Sequence, residues 1–310
     1  MRGNLVKASS QAAGPTLAAL CLLLAACGGA VSPGPSSPPL HIAGAYRVVV
    51  DPAGNLVVPD GVAHRVWRLD PRSGRLSILA GDGGSTLRGI GGPATAASIG
   101  IPRDAAVGPD GSVYIAVSSD QVLRVSAAGL LTAVVGTGQK GGAGDGGPAV
   151  AALLDGPTAV AVDRFGNLFV AEAAGRIRRI DASTKEITTV LQAVDQPHGV
   201  AAAADGSLYV AETGANRVRR LTASGASTMV QAGQLSMPTG VAVSGGDLLI
   251  ADFGNNRIQR VSPSGTIATF VESVVGPTGV AVAEDGTIYV SELDWGLVRI
   301  DRSGRRTPIG

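Results

Sequence analysis

The sequence predicts an all-β fold, a six-bladed β-propeller, and three observations support this prediction. One segment pattern recurs six times along the chain. Each copy alternates short apolar runs with Gly-containing turns, as antiparallel strands joined by hairpins do. The composition fits as well, because 45 of the 310 residues are Gly and only 3% are aromatic, and no segment shows a long helical period.

The six copies predict one blade each. The similar copies step from Pro157 to Pro197, Pro238 and Pro277, at intervals of 40, 41 and 39 residues. A period of ~40–45 residues with four short antiparallel strands is typical of a propeller blade. Turns such as DPAGN, GPDGS and AEDGT place Gly where a hairpin needs a positive φ. In chain order the copies occupy 44–70, 101–126, 156–181, 196–222, 237–262 and 276–301.

The first 26 residues predict an export signal. Arg2 and Lys7 precede an apolar run that ends at Ala26, and this run is shorter than the roughly 20 apolar residues of a membrane-spanning helix. Such a run is typical of a cleavable signal peptide. The sequence LAAC, ending at Cys27, resembles the lipobox of bacterial lipoproteins, which implies cleavage before Cys27 and lipidation of its thiol. An ordinary secretory signal with a stray cysteine is the alternative.

Behind this signal, Cys27 and a Gly, Ser and Pro segment predict a lipidated tether over 27–40, followed by the propeller over 41–310. Cys21 lies in the part to be removed, so no disulfide is expected in the mature chain. Loss of Arg2 and Lys7 lowers the formal charge from +1 to about −1. A near-neutral chain has no electrostatic footprint for nucleic acid. We expect a membrane-anchored lipoprotein of the bacterial cell envelope, on its periplasmic or extracellular side.

The repeat itself resembles a known family. The pattern P-x-G-V-A-V-x-x-x-G-N-L-Y-V-A-D/E-x-x-N-R-I-x-R, best kept in copies 3, 4 and 5, resembles the NHL repeat. The linker GDGGPAVAAL (144–153) is similar to one common between bacterial NHL blades. This resemblance covers nearly all of 44–310 and implies a binding platform, although the fold alone does not fix a ligand.

Comparison of the copies with one another separates structural arginines from candidate ligand contacts. The position of Arg220 is Arg in every copy, which predicts a scaffold contact needed by each repeat. Arg217 recurs with an acidic residue at the end of the preceding strand, and this predicts an ion pair with Glu212 across the hairpin. Arg219 has no repeated role. The Arg220 set is Arg68, Arg124, Arg179, Arg220, Arg260 and Arg299, and the further expected pairs are Asp60–Arg65, Glu172–Arg176 and Asp252–Arg257.

Copies 2 and 6 depart from this pairing. In copy 2 both partners are replaced, by Val117 and Gln121. Copy 6 keeps Glu292 but has Gly in place of the arginine, with Asp294 and Trp295 beside it. This arrangement predicts an unpaired carboxylate, in either a drifted terminal blade or an accessory binding feature. The aromatic residues at a common strand position are expected to pack between blades, and they are Tyr114, Phe169, Tyr209 and Tyr289.

The candidate ligand site lies where the first strand of each blade enters the central channel. The two residues at this entrance are Thr or His followed by Ala or Gly in blades 3 to 6. In blades 1 and 2 they include the charged side chains Arg47, Arg103 and Asp104. A few convergent polar groups are what a ligand pocket needs, and the alternative is a solvated funnel without a ligand. The predicted contacts are Tyr46, Arg47, Arg103, Asp104, Thr158, His198, Thr239 and Thr278.

Two insertions, 81–102 and 136–157, are expected near this mouth, and Pro93 and Pro148 are placed to begin short helical segments in them. Within the second, GTGQKG matches G-x-G-x-x-G but opens no helix, which excludes a dinucleotide site. For closure of the ring, 305–310 predicts the outer strand of blade 6. A clasp formed by 40–44 is the alternative.

The leading functional hypothesis is a monomeric, lipid-anchored platform that binds a protein, peptide or glycan of the envelope, with no cofactor and no metal. A structural envelope component that makes contacts through its lateral surfaces is a second possibility. The enzymatic alternative rests on resemblance: streptogramin lyases, peptide-amidating lyases and lactonases share the six-bladed architecture, and PHGV resembles the lyase pattern at His198. Glu292 would then lie near His198. Of His41, His64 and His198 only the last belongs to the ring, whereas zinc needs three or four protein ligands, so no catalytic residue is assigned.

Overall fold

The computed structural model describes Ile42, residues 44–293 and residues 296–309. In this part of the chain six antiparallel sheets of four strands each follow one another in sequence order, and each sheet keeps its strands in chain order from the inner to the outer edge. Inner strands of consecutive sheets lie side by side, and the strand that begins the first sheet contacts the inner strand of the last. The predicted all-β, six-bladed propeller is therefore confirmed.

The first three blades contain β1 (Val49–Val50), β2 (Leu56–Asp60), β3 (Arg65–Leu69), β4 (Leu76–Ala80), β5 (Pro102–Val107), β6 (Val113–Val117), β7 (Gln121–Val125), β8 (Leu131–Val135), β9 (Pro157–Val162), β10 (Leu168–Glu172), β11 (Arg176–Ile180) and β12 (Ile187–Leu191). The last three contain β13 (Pro197–Ala202), β14 (Leu208–Glu212), β15 (Arg217–Thr222), β16 (Gly225–Val230), β17 (Pro238–Ser244), β18 (Asp247–Asp252), β19 (Arg257–Val261), β20 (Ile267–Val271), β21 (Pro277–Val282), β22 (Ile288–Glu292), β23 (Gly296–Ile300) and β24 (Arg306–Ile309). Short 3₁₀ helices occupy Ala94–Ala96, Ala149–Ala151 and Phe253–Asn255.

The turn between the first two strands of a blade shows why the repeat folds locally. In blade 4, Gly206 has φ 85°, a left-handed conformation that glycine adopts without a steric penalty. The preceding Asp205 accepts a hydrogen bond from the Ser207 backbone N–H at 2.9 Å. An acidic side chain that closes its own turn in this way is a common device of tight turns.

The core lies between blades rather than within them. Each of the six interfaces has its own cluster of buried aliphatic side chains drawn from two neighbouring sheets. Phe169, Tyr209 and Tyr289 are at most 9% exposed in these clusters, while Tyr114 packs half-buried at the same position. Their predicted role in blade-to-blade packing is confirmed, and each fully buried large apolar side chain contributes about 1.5–3 kcal/mol to folding.

In blades 1, 2, 4 and 5, the arginine repeated in every copy fastens the third strand of a blade to its first turn. In blade 4, Arg220 donates to Asp205 at 2.7 Å and to Ser207 Oγ at 3.0 Å, and its guanidinium lies 5.8 Å from the centre of the Tyr209 ring. Blade 3 varies the scheme, since Arg179 pairs with Asp181 at 2.8 Å. The scaffold role predicted for this position is confirmed by the equivalent pairs Arg68–Asp51, Arg124–Asp110 and Arg260–Asp247.

The ring closes without exchanging a strand. As predicted, the last segment is the outer strand of blade 6, because Arg306–Ile309 pairs with Gly296–Ile300. Of the alternative clasp over 40–44, only Ile42 and Gly44 belong to the described residues: Ile42 is buried in the cluster between blades 6 and 1, and the Gly44 carbonyl accepts from Gly61 of blade 1. Side-chain packing between blades 6 and 1 therefore joins the two ends of the described ring.

The two insertions contact mouth-face loops through Asp82, Gly100 and Gly141 and extend from there to the outer strands of the next blades, while coverage of the channel mouth stays a prediction. In the first, Gly91 and Gly92 exchange backbone hydrogen bonds with Leu131 on the outer strand of blade 2. In the second, Gly146 and Gly147 do the same with Ile187 on the outer strand of blade 3. The helical segments predicted there are present, with Pro93 and Pro148 at their N-caps. Both insertions cover exposed sheet edges, which would otherwise invite pairing with other chains.

Candidate functional site

The strand register defines the face that carries the candidate site. Pro197, the first residue of β13, lies opposite Glu212, the last residue of β14. The same pairing of a first and a last residue recurs in blade 2, between Pro102 and Val117. The starts of the inner strands and the loops between the second and third strands therefore share one face, which we call the mouth face.

Three of the predicted contact residues are threonines that tie neighbouring blades together. Thr158 donates to the carbonyl of Pro197 at 2.5 Å, Thr239 to that of Pro277 at 2.9 Å, and Thr278 to that of Ala45 at 3.4 Å. All three are at most 8% exposed. Their hydroxyls have a structural task at the mouth, and contact with a ligand stays a prediction for them.

Blade 4 replaces this threonine by His198 and keeps the contact by another route. Thr213, which directly follows Glu212, donates to the carbonyl of Pro238 at 2.6 Å. The Nδ1 atom of His198 lies 3.1 Å from both Thr213 Oγ1 and the carbonyl of Gln196. Sequence reasoning missed Thr213, although it is the only threonine among the six residues that directly follow the second strands.

Electrostatics keep His198 neutral. Its burial, together with the charges of Arg47 and Arg103, lowers the pKa of His198 to about 4. The imidazole thus lies within electrostatic reach of both arginines and is uncharged at neutral pH. Its Nε2 atom has no hydrogen-bond partner among the described residues.

Arg47 occupies the channel mouth itself. Its backbone lies beside blade 6, because a Cβ built on Gly279 would be 3.0 Å from the Arg47 Cα. Its guanidinium reaches blade 5, since a Cβ on Gly240 would be 3.0 Å from Nη1. Burial lowers the pKa of Arg47 from its ordinary value, and the charge of Asp104 opposes this. A guanidinium stays protonated even so.

Neither Arg47 nor Arg103 has a hydrogen bond or ion pair with a described residue. Arg103 is exposed on β5. Asp104, the next residue, is 6% exposed and accepts hydrogen bonds at 2.9 Å from the backbone N–H groups of Ala105 and Val160. Burial raises the pKa of Asp104 to about 6, against the opposing charge of Arg47. The carboxylate therefore joins blade 2 to blade 3 and influences Arg47 only from a distance. Tyr46, the last of the eight residues predicted for the mouth, is half-buried, and its ring lies beside Gly61.

Away from the channel, buried acids anchor the loops of the mouth face. Glu212 is fully buried and accepts from Arg217 at 2.8 Å, as predicted, and also from Arg219. Arg219, unassigned from sequence, thus has a structural role. The predicted pairs Glu172–Arg176 and Asp252–Arg257 are confirmed, each at 2.8 Å.

Two expectations about these acids are wrong. Asp60 forms no ion pair with Arg65 and instead accepts from Trp67 Nε1 at 3.1 Å, because Arg65 turns away to the carbonyl of Asp82. Glu292 is not an unpaired carboxylate, since Arg306 donates to it at 2.6 Å from the last strand. Glu292 is also not among the charges that act on His198. Asp294, Trp295, Cys27 and His41 lie outside the described residues.

The opposite face holds a cavity that sequence reasoning missed. It has a volume of about 330 Å³ and lies where inner strands of blades 1, 2, 3 and 6 end in their first turns. Val50, Val107 and Val162 contribute apolar lining, and Arg164 and Glu284 are charged groups in it. The channel between the inner strands has two ends. The sequence comparison of the six copies was directed at the mouth face and did not include the residues at the other end.

Within the described part of the chain, no group of three or more His, Cys, Asp or Glu residues is arranged to hold a metal ion. No helix there is long and apolar enough to cross a membrane.

Comparisons with known proteins agree with this architecture. The NHL repeat model matches residues 195–221 and 235–261. A search of curated protein sequences found no match. Virginiamycin B lyase from Staphylococcus aureus is 17% identical, with 87% of this chain and 86% of that chain covered and a TM-score of 0.60.

Two further solved structures share the fold. A gluconolactonase from Xanthomonas campestris is 15% identical, with 82% of this chain and 85% of that one covered and a TM-score of 0.63. A chain of a nidogen/laminin complex is 16% identical, with 82% and 91% covered and a TM-score of 0.63. The similar structures thus include two enzymes and a component of a protein complex, and identities this low indicate the shared fold alone.

Proposed function

We propose that this six-bladed NHL-repeat propeller is a lipid-anchored envelope protein that binds a protein, peptide or glycan at its mouth face. One observation carries the proposal: Arg47 and Arg103 place two positive charges at the channel mouth without a hydrogen bond or ion pair to any described residue. Elsewhere in the repeat, arginines such as Arg217 and Arg220 are tied to carboxylates.

The contrast between these two groups of arginines supports a binding role. Arg47 is partly buried and loses hydration there, and the charge of Asp104, without a hydrogen bond, offsets this only in part. The fold does not need Arg47 for this position, because blades 4, 5 and 6 have Gly199, Gly240 and Gly279 there. A ligand that supplies hydrogen-bond acceptors would restore what the guanidinium has lost.

Attachment to the membrane is the second part of the proposal. It rests on the sequence of residues 1–40, with Cys27 as the lipidated residue. Metabolic labelling with a fatty-acid analogue tests it directly: label should enter the wild-type protein and be absent from Cys27→Ser. Label retained by C27S would overturn the lipoprotein assignment and would leave the binding proposal, which rests on other residues, unchanged.

The binding role is tested by capture from solubilised envelope fractions with immobilised C27S protein. We expect Arg47→Gln and Arg103→Ala to abolish capture of the partner that C27S retains. Arg164→Ala is the matched control, because Arg164 is an exposed arginine that lines the cavity on the opposite face. Capture that survives both mouth substitutions, or that is lost equally in R164A, would refute a site at the mouth.

An enzyme is the second candidate, and one observation favours it. His198 lies at the mouth, neutral, with Nε2 free of described partners, as a general base requires. The structurally similar proteins include a streptogramin lyase. Metal analysis of the purified protein, and assay of streptogramin and lactone ring opening with and without chelator, test this candidate. No turnover in either assay would leave the platform as the sole proposal.

A further inference from the structure

We propose that the mouth face captures the C-terminal carboxylate of a peptide, with the Arg47 guanidinium as the inner contact and Arg103 as the outer one. This inference rests on the proposed binding function, and it adds the chemistry of the ligand. It is carried by the position of the two arginines, by the hydrogen bonds that already engage Asp104, the one described carboxylate that acts on Arg47, and by the exposed apolar residues around the mouth.

The Arg47 side chain is positioned for an end group rather than for a continuous chain. It begins on blade 1, passes the bare backbone of Gly279 and ends beside Gly240. Any side chain on Gly240 would meet the guanidinium, with its Cβ 3.0 Å from Nη1 and 2.8 Å from the Gly279 Cα. The inner strands thus leave room for one planar cation within the channel. Guanidinium groups bind carboxylates through two parallel hydrogen bonds.

The charges around Arg47 favour an anion. Asp104 is the carboxylate that acts on it, but both Asp104 oxygens accept backbone N–H groups, at 2.9 Å each. His198, which the two arginines influence, is neutral because its pKa is lowered to about 4. With Arg103 positive, the four groups that influence one another here carry a net charge of about +1 when Asp104 is ionised. A carboxylate brought to Arg47 meets attraction, and among the described groups that act on Arg47 the one negative side chain, Asp104, is already engaged by backbone N–H groups.

The rim of the mouth face favours a peptide over a sugar. Val62, Ile101, Met237 and Val275 are 65%, 39%, 37% and 42% exposed, and all four lie on its loops. Exposed apolar residues around a site are typical of interaction surfaces, and those on the loops of this face suit the side chains that precede a peptide C-terminus. Sugar rings commonly stack on open aromatic faces, whereas Tyr209 and Tyr289 are buried between blades and Tyr46 at the mouth is half-buried.

The inference is tested with two pools of random octapeptides, one ending in a free carboxylate and one in a carboxamide, passed over immobilised C27S protein. A charge-assisted hydrogen bond is worth about 1.5–3 kcal/mol, which predicts roughly 10- to 100-fold stronger retention of the acid pool. Arg47→Gln should remove this preference, Arg47→Lys should keep part of it, and Arg164→Ala should leave it unchanged. Thermal unfolding of each variant establishes that the propeller is folded.

The outcomes separate this inference from the proposal on which it rests. Equal retention of acid and amide pools, or no retention of either, overturns carboxylate capture, while envelope capture that depends on Arg103 would still support a binding platform. Equal retention of amidated peptides with an internal Glu would show that the site does not require a chain end, which refutes the C-terminal specificity. Retention of uronate oligosaccharides in place of peptides would assign the site to a glycan.

Discussion

Replacement of Arg306 by Ala tests how the last strand secures the ring. Arg306 donates to Glu292 Oε1 at 2.6 Å and to the carbonyl of Ser273. Glu292 is 3% exposed and has one other donor, the backbone N–H of Val275 at 3.0 Å. The substitution therefore leaves a buried carboxylate with a single hydrogen bond. Arg305→Ala is the matched control, since Arg305 is exposed and, among the described residues, interacts electrostatically only with the carboxylate of Asp301.

The size of the effect follows from the geometry of this pair. Removing one partner of a fully buried ion pair costs about 3–5 kcal/mol. The side chain of Arg306 is 33% exposed, so about 2–3 kcal/mol is expected after solvent screening. For a domain of this size, each kcal/mol lowers Tm by about 2–4 °C. R306A should thus lose roughly 4–12 °C, while Arg305→Ala changes Tm little.

The pH dependence gives a second measurement of the same pair. Burial raises the pKa of Glu292 above its ordinary value, and Arg306 opposes this. Without Arg306 the pKa rises further, so the deficit of R306A is complete at neutral pH and shrinks as acid protonates Glu292 in both proteins. Urea unfolding at pH 4 and pH 7 measures this. Equal unfolding free energies for R306A and R305A, or a deficit that does not shrink in acid, would refute the reasoning.

Two further predictions concern the mouth face. His198→Thr should remove a pH dependence: because the folded pKa of His198 is about 4 and its ordinary value about 6.5, the wild type loses about 2–3 kcal/mol between pH 7 and pH 4.5 that the variant keeps. The same difference in unfolding free energy between the wild type and His198→Thr at pH 7 and pH 4.5, measured by urea unfolding, would contradict this. Thr239→Val should cost about 1 kcal/mol by leaving the Pro277 carbonyl without its 2.9 Å donor, whereas Thr307→Val on the exposed outer strand should cost almost nothing; equal melting temperatures for the two would count against blade-to-blade bonding.

The fold could be predicted from the sequence because each blade of a propeller has a similar sequence pattern. Each blade buries its apolar faces only against its neighbours, so six copies must solve the same packing problem with similar residues. The same logic predicted the scaffold role of Arg220 and the pair between Arg217 and Glu212, which recur in several blades. A contact that is needed everywhere is visible in a self-comparison.

A contact that is present in a single blade is not revealed when the six copies are compared with one another. Arg306 pairs with Glu292 from a strand that has no arginine at the same place in the other blades, so copy 6 looked as though it had lost a partner. In blade 1, Arg65 donates to the Asp82 carbonyl, and Trp67, also unique to its blade, donates to Asp60 in its place. Both exceptions arise where a second side chain reaches a buried acid, and a sequence does not show which of two donors is closer.

The outer position of the insertions could not be predicted for a related reason. From the sequence, each insertion follows the last strand of a blade and so begins on the side of the mouth. Whether it then runs toward the channel or toward the outer strands cannot be predicted from the sequence. The hydrogen-bonding groups of an exposed sheet edge decide that direction. Leu131 and Ile187 offer free backbone groups on the outer strands, and the glycines of the insertions pair with them.

The exchange in blade 4 bears on whether the mouth binds anything at all. Where blades 3, 5 and 6 place a threonine, blade 4 has His198, and the lost contact to the next blade is made by Thr213 instead. A histidine that arose by drift would leave the carbonyl of Pro238 without its donor, at a cost of about 1–3 kcal/mol. Blade 4 avoids that cost and presents an imidazole within electrostatic reach of Arg47 and Arg103. Besides its contacts with Gln196 and Thr213, His198 thus supplies what the proposed binding role would use, a neutral hydrogen-bonding group beside two cations.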